Sequence, residues 1–424
     1  MPGAQRQQPG LVESPRREPS HPARVEDVGA GGVPRSLYLH LPFCVSKCPY
    51  CDFNSHVGQR HLFNGYLRAL VEEVRAWGSE LGHPELDTVF IGGGTPSLVP
   101  GGHIATLLDA VREAFTLAPG AEVSLEANPQ SAEADRMEAW LEAGVNRLSL
   151  GVQSLDDPTL RFLERAHDAA EARAVIGRAR GAGFASLSFD LMFAVPGLST
   201  ERWRAVLEEA LSHGPDHLSA YELTPEAGTR LGADVLARRT ILPDEDTQVE
   251  QYGVASELLA AAGFERYEVS NWARRGQQCR HNLAYWGGQP YAAAGAGAHA
   301  FAMPPAVPRW LDPRPTGAVT VRQWNVASPA AYIAAVRQRG SAVAGSEWLD
   351  LATTGSDLMM MGLRLEAGVD LARADLALPG VAALLEPAVA RLVTEGLLHR
   401  SGQQVSATTR GRAVLNRVAA EFLP

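Results

Sequence analysis

Three of the four cysteines in this chain lie within a span of eight residues, and this group constrains the fold and the function more than any other feature. Cys44, Cys48 and Cys51 have the spacing Cys-x3-Cys-x2-Cys, whereas Cys279 lies far along the chain. Thiolates this close together favour an iron–sulfur cluster or zinc. A 4Fe–4S cluster usually takes four cysteines, so three of them leave one iron with an open position for an exchangeable ligand.

Zinc and plain burial are the two alternatives for these cysteines. A structural zinc site needs a fourth ligand, and its ligands usually come as two separated pairs. Burial of three thiols in a core is the simplest alternative, but it does not explain why they are clustered. The spacing therefore favours an iron–sulfur cluster.

A strand leads into the cysteine stretch, because Leu37, Leu39 and Leu41 alternate with other residues and Pro42 ends the run. Five more short apolar runs follow, each separated from the next by a helical pattern. These predicted strands cover residues 88–91, 123–129, 147–153, 187–193 and 217–223. Six β–α units in sequence predict an α/β fold, a parallel sheet with helices outside that can curve into a partial (β/α)6 barrel. Polar motifs follow the strand ends, where barrels of this kind place their chemistry.

The rest of the chain divides into three further parts. Residues 1–34 are rich in Pro, Gly, Arg and Glu, and this composition predicts a disordered tail. The barrel is predicted over 35–242, followed by a connecting segment over 243–340. Residues 341–424 contain helical patterns and a hairpin with a turn near Gly402, which predict a small winged-helix-like α+β domain.

The stretch from Tyr38 to Phe53, together with the glycine-rich Gly92–Pro96, resembles the radical S-adenosylmethionine (SAM) superfamily. The similarity extends to the branch that contains oxygen-independent coproporphyrinogen oxidases and HemW-type heme chaperones. It implies a six-unit partial barrel and a 4Fe–4S cluster on the three cysteines, with SAM at the open iron. One electron from the cluster would then cleave a carbon–sulfur bond of SAM and release a 5′-deoxyadenosyl radical. The cofactors would therefore supply the radical chemistry.

The resemblance also implies which residues bind SAM. The glycine-rich segment would hold its amino end, and Arg165 is a natural bidentate partner for its carboxylate; without the resemblance, Arg165 would be interpreted as a surface salt bridge. Tyr38 and Tyr50 flank the cluster and would pack on it or on adenine, with core packing as the alternative. The candidates for SAM binding are Tyr38, Tyr50, Gly93, Gly94, Thr95, Glu126, Gln153, Arg165 and Asp190. Ala194 departs from the family pattern, because relatives commonly have glycine there.

A second motif points to heme. His281, Asn282, Tyr285 and Trp286 fit the pattern His-Asn-x-x-Tyr-Trp, which the HemW-like branch associates with heme binding. Heme iron accepts histidine or cysteine, so His281 and Cys279 are both candidate ligands, and the two aromatic residues offer faces to a porphyrin. A lone histidine is more often structural. We expect His281 to be the ligand or a close support for heme, and the fold not to depend on it.

Two functions from different classes follow from the resemblance. The first is a heme chaperone that hands heme to acceptor proteins such as respiratory cytochromes, at the cytoplasmic face of the membrane, with a separate electron donor for the cluster. The second is an oxygen-independent coproporphyrinogen III oxidase. Oxidases of the family carry a further cysteine two residues after the third, and this chain has Phe53 there, which favours the chaperone. A radical enzyme acting on another substrate is a third, more distant interpretation.

Composition limits the partners and the location. The formal net charge is −10, so there is no basic excess to neutralise phosphates, and we expect no nucleic-acid partner. No apolar run reaches about 18 residues, and no signal-peptide core is visible, so we expect no transmembrane segment. Clustered thiols outside a disulfide framework fit a reducing cytoplasm.

Overall fold

A computed structural model describes residues 32–311 and 313–423 of the chain. The predicted disordered tail, residues 1–34, lies almost entirely outside the described residues. Within the described ranges, no helix has the length and apolar character needed to cross a membrane.

The described chain alternates strands and helices along its first half and becomes mainly helical towards its end. The strands are β1 (Ser36–Leu41), β2 (Phe43–Cys44), β3 (His56–Val57), β4 (Glu85–Gly93), β5 (Thr116–Ala127), β6 (Arg147–Gln153), β7 (Ser186–Phe193), β8 (His217–Glu222), β9 (Glu265–Arg266), β10 (Asn271–Ala273), β11 (Ala292–Ala294), β12 (His299–Ala302), β13 (Thr320–Asn325), β14 (Val343–Leu349), β15 (Val369–Asp370), β16 (Leu398–Ser401) and β17 (Gln404–Ala407).

The helices follow the same chain order. They are α1 (Phe63–Leu81), α2 (Gly101–Ala114), α3 (Ala134–Glu142), α4 (Asp157–Phe162), α5 (Ala169–Ala182), α6 (Thr200–Ser212), α7 (Arg230–Leu236), α8 (Glu245–Ala261), α9 (Arg280–Trp286), α10 (Pro329–Arg339), α11 (Leu351–Gly362), α12 (Leu371–Ala377), α13 (Val381–Thr394), α14 (Thr409–Ala413) and α15 (Leu415–Ala420). The sequence predicts a long helical region from the end of β6 to about Ala182, and two helices, α4 and α5, occupy it.

A nine-stranded sheet with the order β11-β1-β4-β5-β6-β7-β8-β10-β9 organises the molecule. Neighbours from β11 to β8 run parallel, and β10 and β9 are antiparallel. The six predicted strands therefore stand side by side in chain order, which confirms the α/β fold and the six-unit partial barrel. β9, β10 and β11 were not predicted, since they are two or three residues long and β11 contains only alanine. They show that the predicted connecting segment extends the main sheet, and the domain boundaries stay predictions.

The helices that cover the sheet bury their apolar faces against it. The sequence predicts one apolar face on α1 from Tyr66, Leu70, Val74, Trp77 and Leu81, which recur at steps of four and three. The first four of these residues are buried and join the sheet side chains in the main hydrophobic core, and Leu81 packs partly buried against the same core.

The sequence predicts that α8 is amphipathic, with Val249, Tyr252, Val254 and Leu258 on its apolar face. This prediction was wrong for Val249, which is 71% exposed, whereas Val254 is buried.

A polar residue of α8 explains this difference. Gln251 is fully buried, and its Oε1 accepts the backbone N–H of Ala194 at 2.8 Å while its Nε2 donates to the Leu198 carbonyl at 2.9 Å. Ala194 has φ of 56°, a left-handed conformation that favours glycine. The Gln251 contacts hold the loop in a geometry that alanine alone would not prefer.

The last part of the chain has its own core. The strand order β15-β17-β16 together with α11, α12 and α13 gives the helix–strand–helix–helix–hairpin succession of a winged helix. The predicted hairpin is confirmed, with its turn at Gly402. A separate hydrophobic cluster fills this domain, and Met303 from the segment after β12 belongs to it. A three-stranded sheet, β12-β13-β14, contacts both cores, since Ala300 of β12 belongs to the barrel core and Phe301 packs against the C-terminal cluster.

Candidate functional site

The cysteine loop follows β1 directly, and its two ends are tied together. β2 and β3 pair in parallel, with Phe43 opposite His56, and the His56 N–H donates to the Pro42 carbonyl at 2.6 Å. Inside the loop, the Cys51 N–H donates to the Cys48 carbonyl at 3.2 Å. None of the four cysteines forms a disulfide. The loop therefore presents three free thiols, and all three line one cavity at the carboxyl ends of the strands.

The glycine-rich segment at the end of β4 lies against this loop. The Thr95 N–H donates to the Phe43 carbonyl at 2.8 Å. A Cβ on Gly94 would stand 2.8 Å from the Phe43 carbonyl oxygen, and a Cβ on Gly93 would stand 2.7 Å from the His40 ring. Gly93 also has φ of 118°. Glycine at these two positions therefore lets the β4 end approach the cysteine loop, as expected for a backbone that contacts a ligand.

Two carboxyl groups face the same cavity from neighbouring parts of the barrel. Glu126 accepts the Gly93 N–H at 3.1 Å, and Asp190 accepts the hydroxyls of Ser149 and Ser219 at 3.1 and 2.7 Å. Burial, with Asp190 nearby, raises the pKa of Glu126 to about 8 against the opposing Gly93 hydrogen bond. Burial also raises the pKa of Asp190, and the two serine hydroxyls oppose it. Glu126 can therefore hold or release a proton near neutral pH.

Arg165 brings a cation into this space. Its Nη2 donates to Asn128 Oδ1 at 2.6 Å and to the Gly151 carbonyl at 3.0 Å, and its Nη1 lies 3.5 Å from Cys48 Sγ. Its buried Nε has no partner, and no carboxylate of the described residues pairs with it. The surface salt-bridge interpretation is therefore wrong. Arg165 has a donor and a positive charge available for an anionic group beside Cys48.

Tyr50 and Gln153 complete the predicted set at the cavity. Tyr50 contacts Cys48 and Arg165, and burial raises the pKa of its hydroxyl. Gln153 ends β6 with φ of 63°, a left-handed conformation that is uncommon outside glycine. Such conformations cost energy and cluster where a side chain has a functional position.

These residues share a cavity of about 380 Å³. The predicted residues that line it are Cys44, Cys48, Tyr50, Cys51, Gly93, Gly94, Thr95, Glu126, Gln153, Arg165 and Asp190. Sequence reasoning did not single out several other lining residues. They are Asn128, Ser149, Gly151, Met192, Tyr221 and Glu222. Their positions in or just after the predicted strands were the only signal that could have identified them.

Tyr38 is not among the residues that line the cavity. Its hydroxyl is 2.9 Å from His40 Nδ1, and its ring centroid lies 6.2 Å from Phe90 and 6.4 Å from His281. Tyr38 therefore packs with other rings inside the barrel, which corresponds to the core-packing alternative.

The predicted heme motif forms α9, whose first turn is buried against the barrel. The Glu122 carboxylate accepts the backbone N–H groups of Arg280 and His281 at 3.0 and 3.1 Å, a favourable charge at a helix N-terminus. Cys279 Sγ lies 3.5 Å from the same carboxylate. Burial, with Glu122 adding to it, raises the pKa of Cys279 to about 12. Cys279 is a neutral, buried thiol, so the expectation that it could ligate heme as a thiolate is not supported.

His281 is enclosed within the barrel. Its side chain is 1% exposed, its Nδ1 is hydrogen-bonded to Thr88 Oγ1 at 2.7 Å, and its ring centroid lies 5.1 Å from Phe90 and 5.0 Å from Tyr285. Its Nε2 is buried with no partner, and burial lowers the pKa of the imidazole to about 3. Direct ligation of heme by His281 does not fit this position, because a porphyrin cannot enter such a closed space. The expectation that the fold does not depend on His281 is also not supported.

The rest of the motif is more accessible than His281. Asn282 and Trp286 are half-buried, and the Arg364 guanidinium lies 5.8 Å from the Trp286 ring. The Tyr285 ring is 4.3 Å from Tyr291, and both line a second cleft. The structure therefore does not bring the four motif residues together around one space.

The donor set at the first cavity fits an iron–sulfur cluster. Within residues 32–311 and 313–423, no three His, Cys, Asp or Glu side chains are arranged to hold a single metal ion. Zinc requires its ligands to converge on one point, whereas a 4Fe–4S cluster is held at separate irons. Three free thiols around one cavity, with no fourth nearby, suit a cluster with one open iron.

Comparison with known proteins agrees with this geometry. The Radical SAM superfamily matches residues 38–210, and the HemN C-terminal domain matches residues 349–414. The solved coproporphyrinogen III oxidase (HemN) from Escherichia coli has a similar fold, with a TM-score of 0.75 and 22% sequence identity over 94% of this chain and 92% of that chain.

Similarity to curated proteins is closer in sequence. The heme chaperone HemW of Mycobacterium tuberculosis is 38% identical over 397 residues, which cover 92% of this chain and 95% of that protein. The heme chaperone HemW of Escherichia coli is 43% identical over 63% of this chain and 70% of that protein. The chain therefore belongs to the heme chaperone HemW family of the radical SAM superfamily.

Proposed function

We propose that this chain is a heme chaperone that binds heme, a 4Fe–4S cluster and SAM and transfers heme to acceptor proteins such as respiratory cytochromes. Membership of the radical SAM superfamily implies the cluster and SAM. The observation on which the proposal rests is one cavity with three free thiols, an arginine and two carboxyls, in a chain whose relatives are named heme chaperones.

Within the proposal, each group at the cavity has a role. Cys44, Cys48 and Cys51 hold the cluster as thiolates, so cluster binding releases their protons. Arg165 receives the SAM carboxylate through its free donor, while Glu126 accepts hydrogen bonds from the cofactor. The remaining predicted residues at the cavity would also contact SAM. They are Tyr50, Gly93, Gly94, Thr95, Gln153 and Asp190. When bound, the cluster and SAM supply one-electron chemistry.

The heme motif has an indirect role in this proposal. His281 is a positioning residue, because its hydrogen bond and ring contacts fix α9 and so place Tyr285 at the second cleft. Asn282 and Trp286 lie on the same helix and would support the part of the molecule that binds heme. The partners would be heme, an acceptor protein and an electron donor for the cluster. A cytoplasmic location, with acceptors at the membrane face, would keep the thiols and the cluster reduced.

The experiment that tests the function compares two activities of one preparation. Anaerobically reconstituted protein is titrated with heme and mixed with an apo-cytochrome, and a second sample is incubated with coproporphyrinogen III, SAM and a reductant. We expect heme to bind and to appear in the cytochrome, with no protoporphyrinogen formed. SAM-dependent protoporphyrinogen formation would identify a coproporphyrinogen III oxidase instead.

Arg165→Ala is expected to weaken SAM binding by about 1.5–3 kcal/mol, because it removes a charge-assisted contact. Iron content should stay at the wild-type value. Equilibrium dialysis with labelled SAM measures the affinity. Arg161→Ala, the same loss of charge at an exposed position of α4, is the control and should bind SAM like the wild type. Equal affinity in all three proteins would remove Arg165 from the SAM site.

SAM affinity is expected to rise as pH increases from 6 to about 8 and then to level off. Because the pKa of Glu126 is raised to about 8, the carboxyl carries a proton at pH 6 and lacks the negative charge that strengthens the hydrogen bonds it would accept from the cofactor. The largest slope is about tenfold per pH unit. Glu126→Gln should bind more weakly at pH 8 and lose this slope, while Glu138→Gln, at an exposed position of α3, should keep it. A slope that persists in Glu126→Gln would assign the titration to another group.

A further inference from the structure

A second cleft, of about 190 Å³, lies where the end of α9, the β12-β13-β14 sheet and α11 meet. It is separate from the cavity that contains the cysteines, and the two share no lining residue. Most of its lining is apolar. Clefts of this kind, apolar with a few polar groups and placed where domains meet, are the usual sites of small-molecule binding.

Methionine is concentrated in this cleft. Met303, Met360 and Met361 line it, three of the seven methionines in the chain. Met359, their neighbour on α11, is fully buried in the C-terminal core instead. Thioethers are flexible and polarisable, so they adapt to a flat apolar ligand, and methionine is an established ligand of heme iron.

Aromatic rings and one cation complete the lining. Tyr285, from the heme motif, and Tyr291 have ring centroids 4.3 Å apart and present apolar faces. Arg322 is the one cationic residue of the lining, and it pairs with Asp357. Its second contact, with Glu347 at 3.5 Å, is long and exposed. A carboxylate at the edge of a bound ligand can replace such a weak surface contact.

We propose that this cleft is the heme-binding site, an inference that rests on the proposed function. One edge of the macrocycle would lie against Tyr291 and the methionines, and the thioether of Met360 or Met361 would ligate the iron. A propionate would meet Arg322. Ligation by a thioether needs no proton or electron transfer, since the sulfur carries no proton.

The cleft, at about 190 Å³, is smaller than the pockets of about 300–1,000 Å³ that enclose a drug-sized ligand. Within the proposal it would therefore hold one edge of the porphyrin and leave the remainder accessible to an acceptor. Met360, Met361 and Tyr285 are half-buried and reachable, whereas His281 is closed off inside the barrel.

The test uses the full chain and hemin, followed by absorption spectroscopy. Met360→Leu, Met361→Leu and the double variant keep apolar volume, so the fold should be retained. Met359→Leu is the matched control on the same helix. We expect the double variant to bind hemin about tenfold more weakly or worse and to change the heme absorption spectrum. At least one single variant should show part of this change, and Met359→Leu should behave like the wild type.

The outcomes separate this inference from the proposed function. If the wild type binds hemin and the double variant binds it with the same affinity and spectrum, heme lies elsewhere and the cleft assignment is wrong. If the wild type binds no hemin, the chaperone proposal itself fails. Thermal unfolding of each variant shows whether a loss of binding reflects a loss of fold. In that case Arg322→Gln, outside the apolar core of the cleft, supplies a second test and should weaken hemin binding.

Discussion

Cys48→Ser is expected to abolish the 4Fe–4S cluster, whereas Cys279→Ser is expected to leave it intact. The wild type should bind about four irons per chain after anaerobic reconstitution. Serine keeps the size of the side chain but removes the soft thiolate, and no fourth thiol lies at the cavity to replace it. Cys44→Ser and Cys51→Ser should behave like Cys48→Ser. Iron and sulfide analysis, with the absorption and electron paramagnetic resonance spectra, measures the loss.

The control in this experiment is informative because Cys279 is also buried and also a free thiol. It lies beside Glu122, which is in register with the amino end of β1, whereas the cysteine loop follows the carboxyl end of that strand. Its raised pKa keeps it protonated. Loss of the cluster in Cys279→Ser together with retention in Cys48→Ser would contradict the assignment. Circular dichroism of each variant shows that the fold is unchanged.

Local sequence patterns were sufficient for the barrel and for most of its cavity. Short apolar runs separated by helical patterns identify the parallel strands, and parallel strands necessarily bring their carboxyl ends to one edge. Residues as distant along the chain as Cys44 and Asp190 could therefore be assigned to one site. The resemblance supplied the choice among polar residues at those ends, and the structure places every one except Tyr38 at the cavity.

The parts that could not be predicted depend on contacts between distant segments. Nothing in the motif around His281 indicates that its ring would contact Thr88 and Phe90, because those two residues belong to β4, far from α9 in the sequence. The second cleft needs α9, β13 and α11 to come together, and no local pattern specifies this. Val249 of α8 was wrongly predicted to be buried for a similar reason, since Gln251, the buried residue that binds a distant loop, looks like a surface residue in the sequence.

His281→Ala is expected to lower the free energy of unfolding by about 3–5 kcal/mol. The substitution removes a ring that packs between Phe90 and Tyr285 and leaves the Thr88 hydroxyl without its partner. Urea unfolding followed by circular dichroism measures the change. His61→Ala, at an exposed position, is the control and should change stability by no more than about 0.5 kcal/mol. Hemin affinity should also fall in His281→Ala, because Tyr285 loses its support.

The dependence of stability on pH tests whether His281 is buried in its neutral form, and the loss of packing alone would not change this dependence. The pKa of His281 is lowered from 6.5 to about 3 by burial, so the imidazole is neutral in the folded chain and gains a proton only on unfolding. The stabilisation from this residue is complete above pH 6.5 and is lost as pH falls towards 3. The wild type should therefore lose more stability than His281→Ala as pH decreases from 6.5 to 4. Equal losses in the two proteins would mean that His281 is solvated, and direct ligation of heme by His281 would again fit the motif.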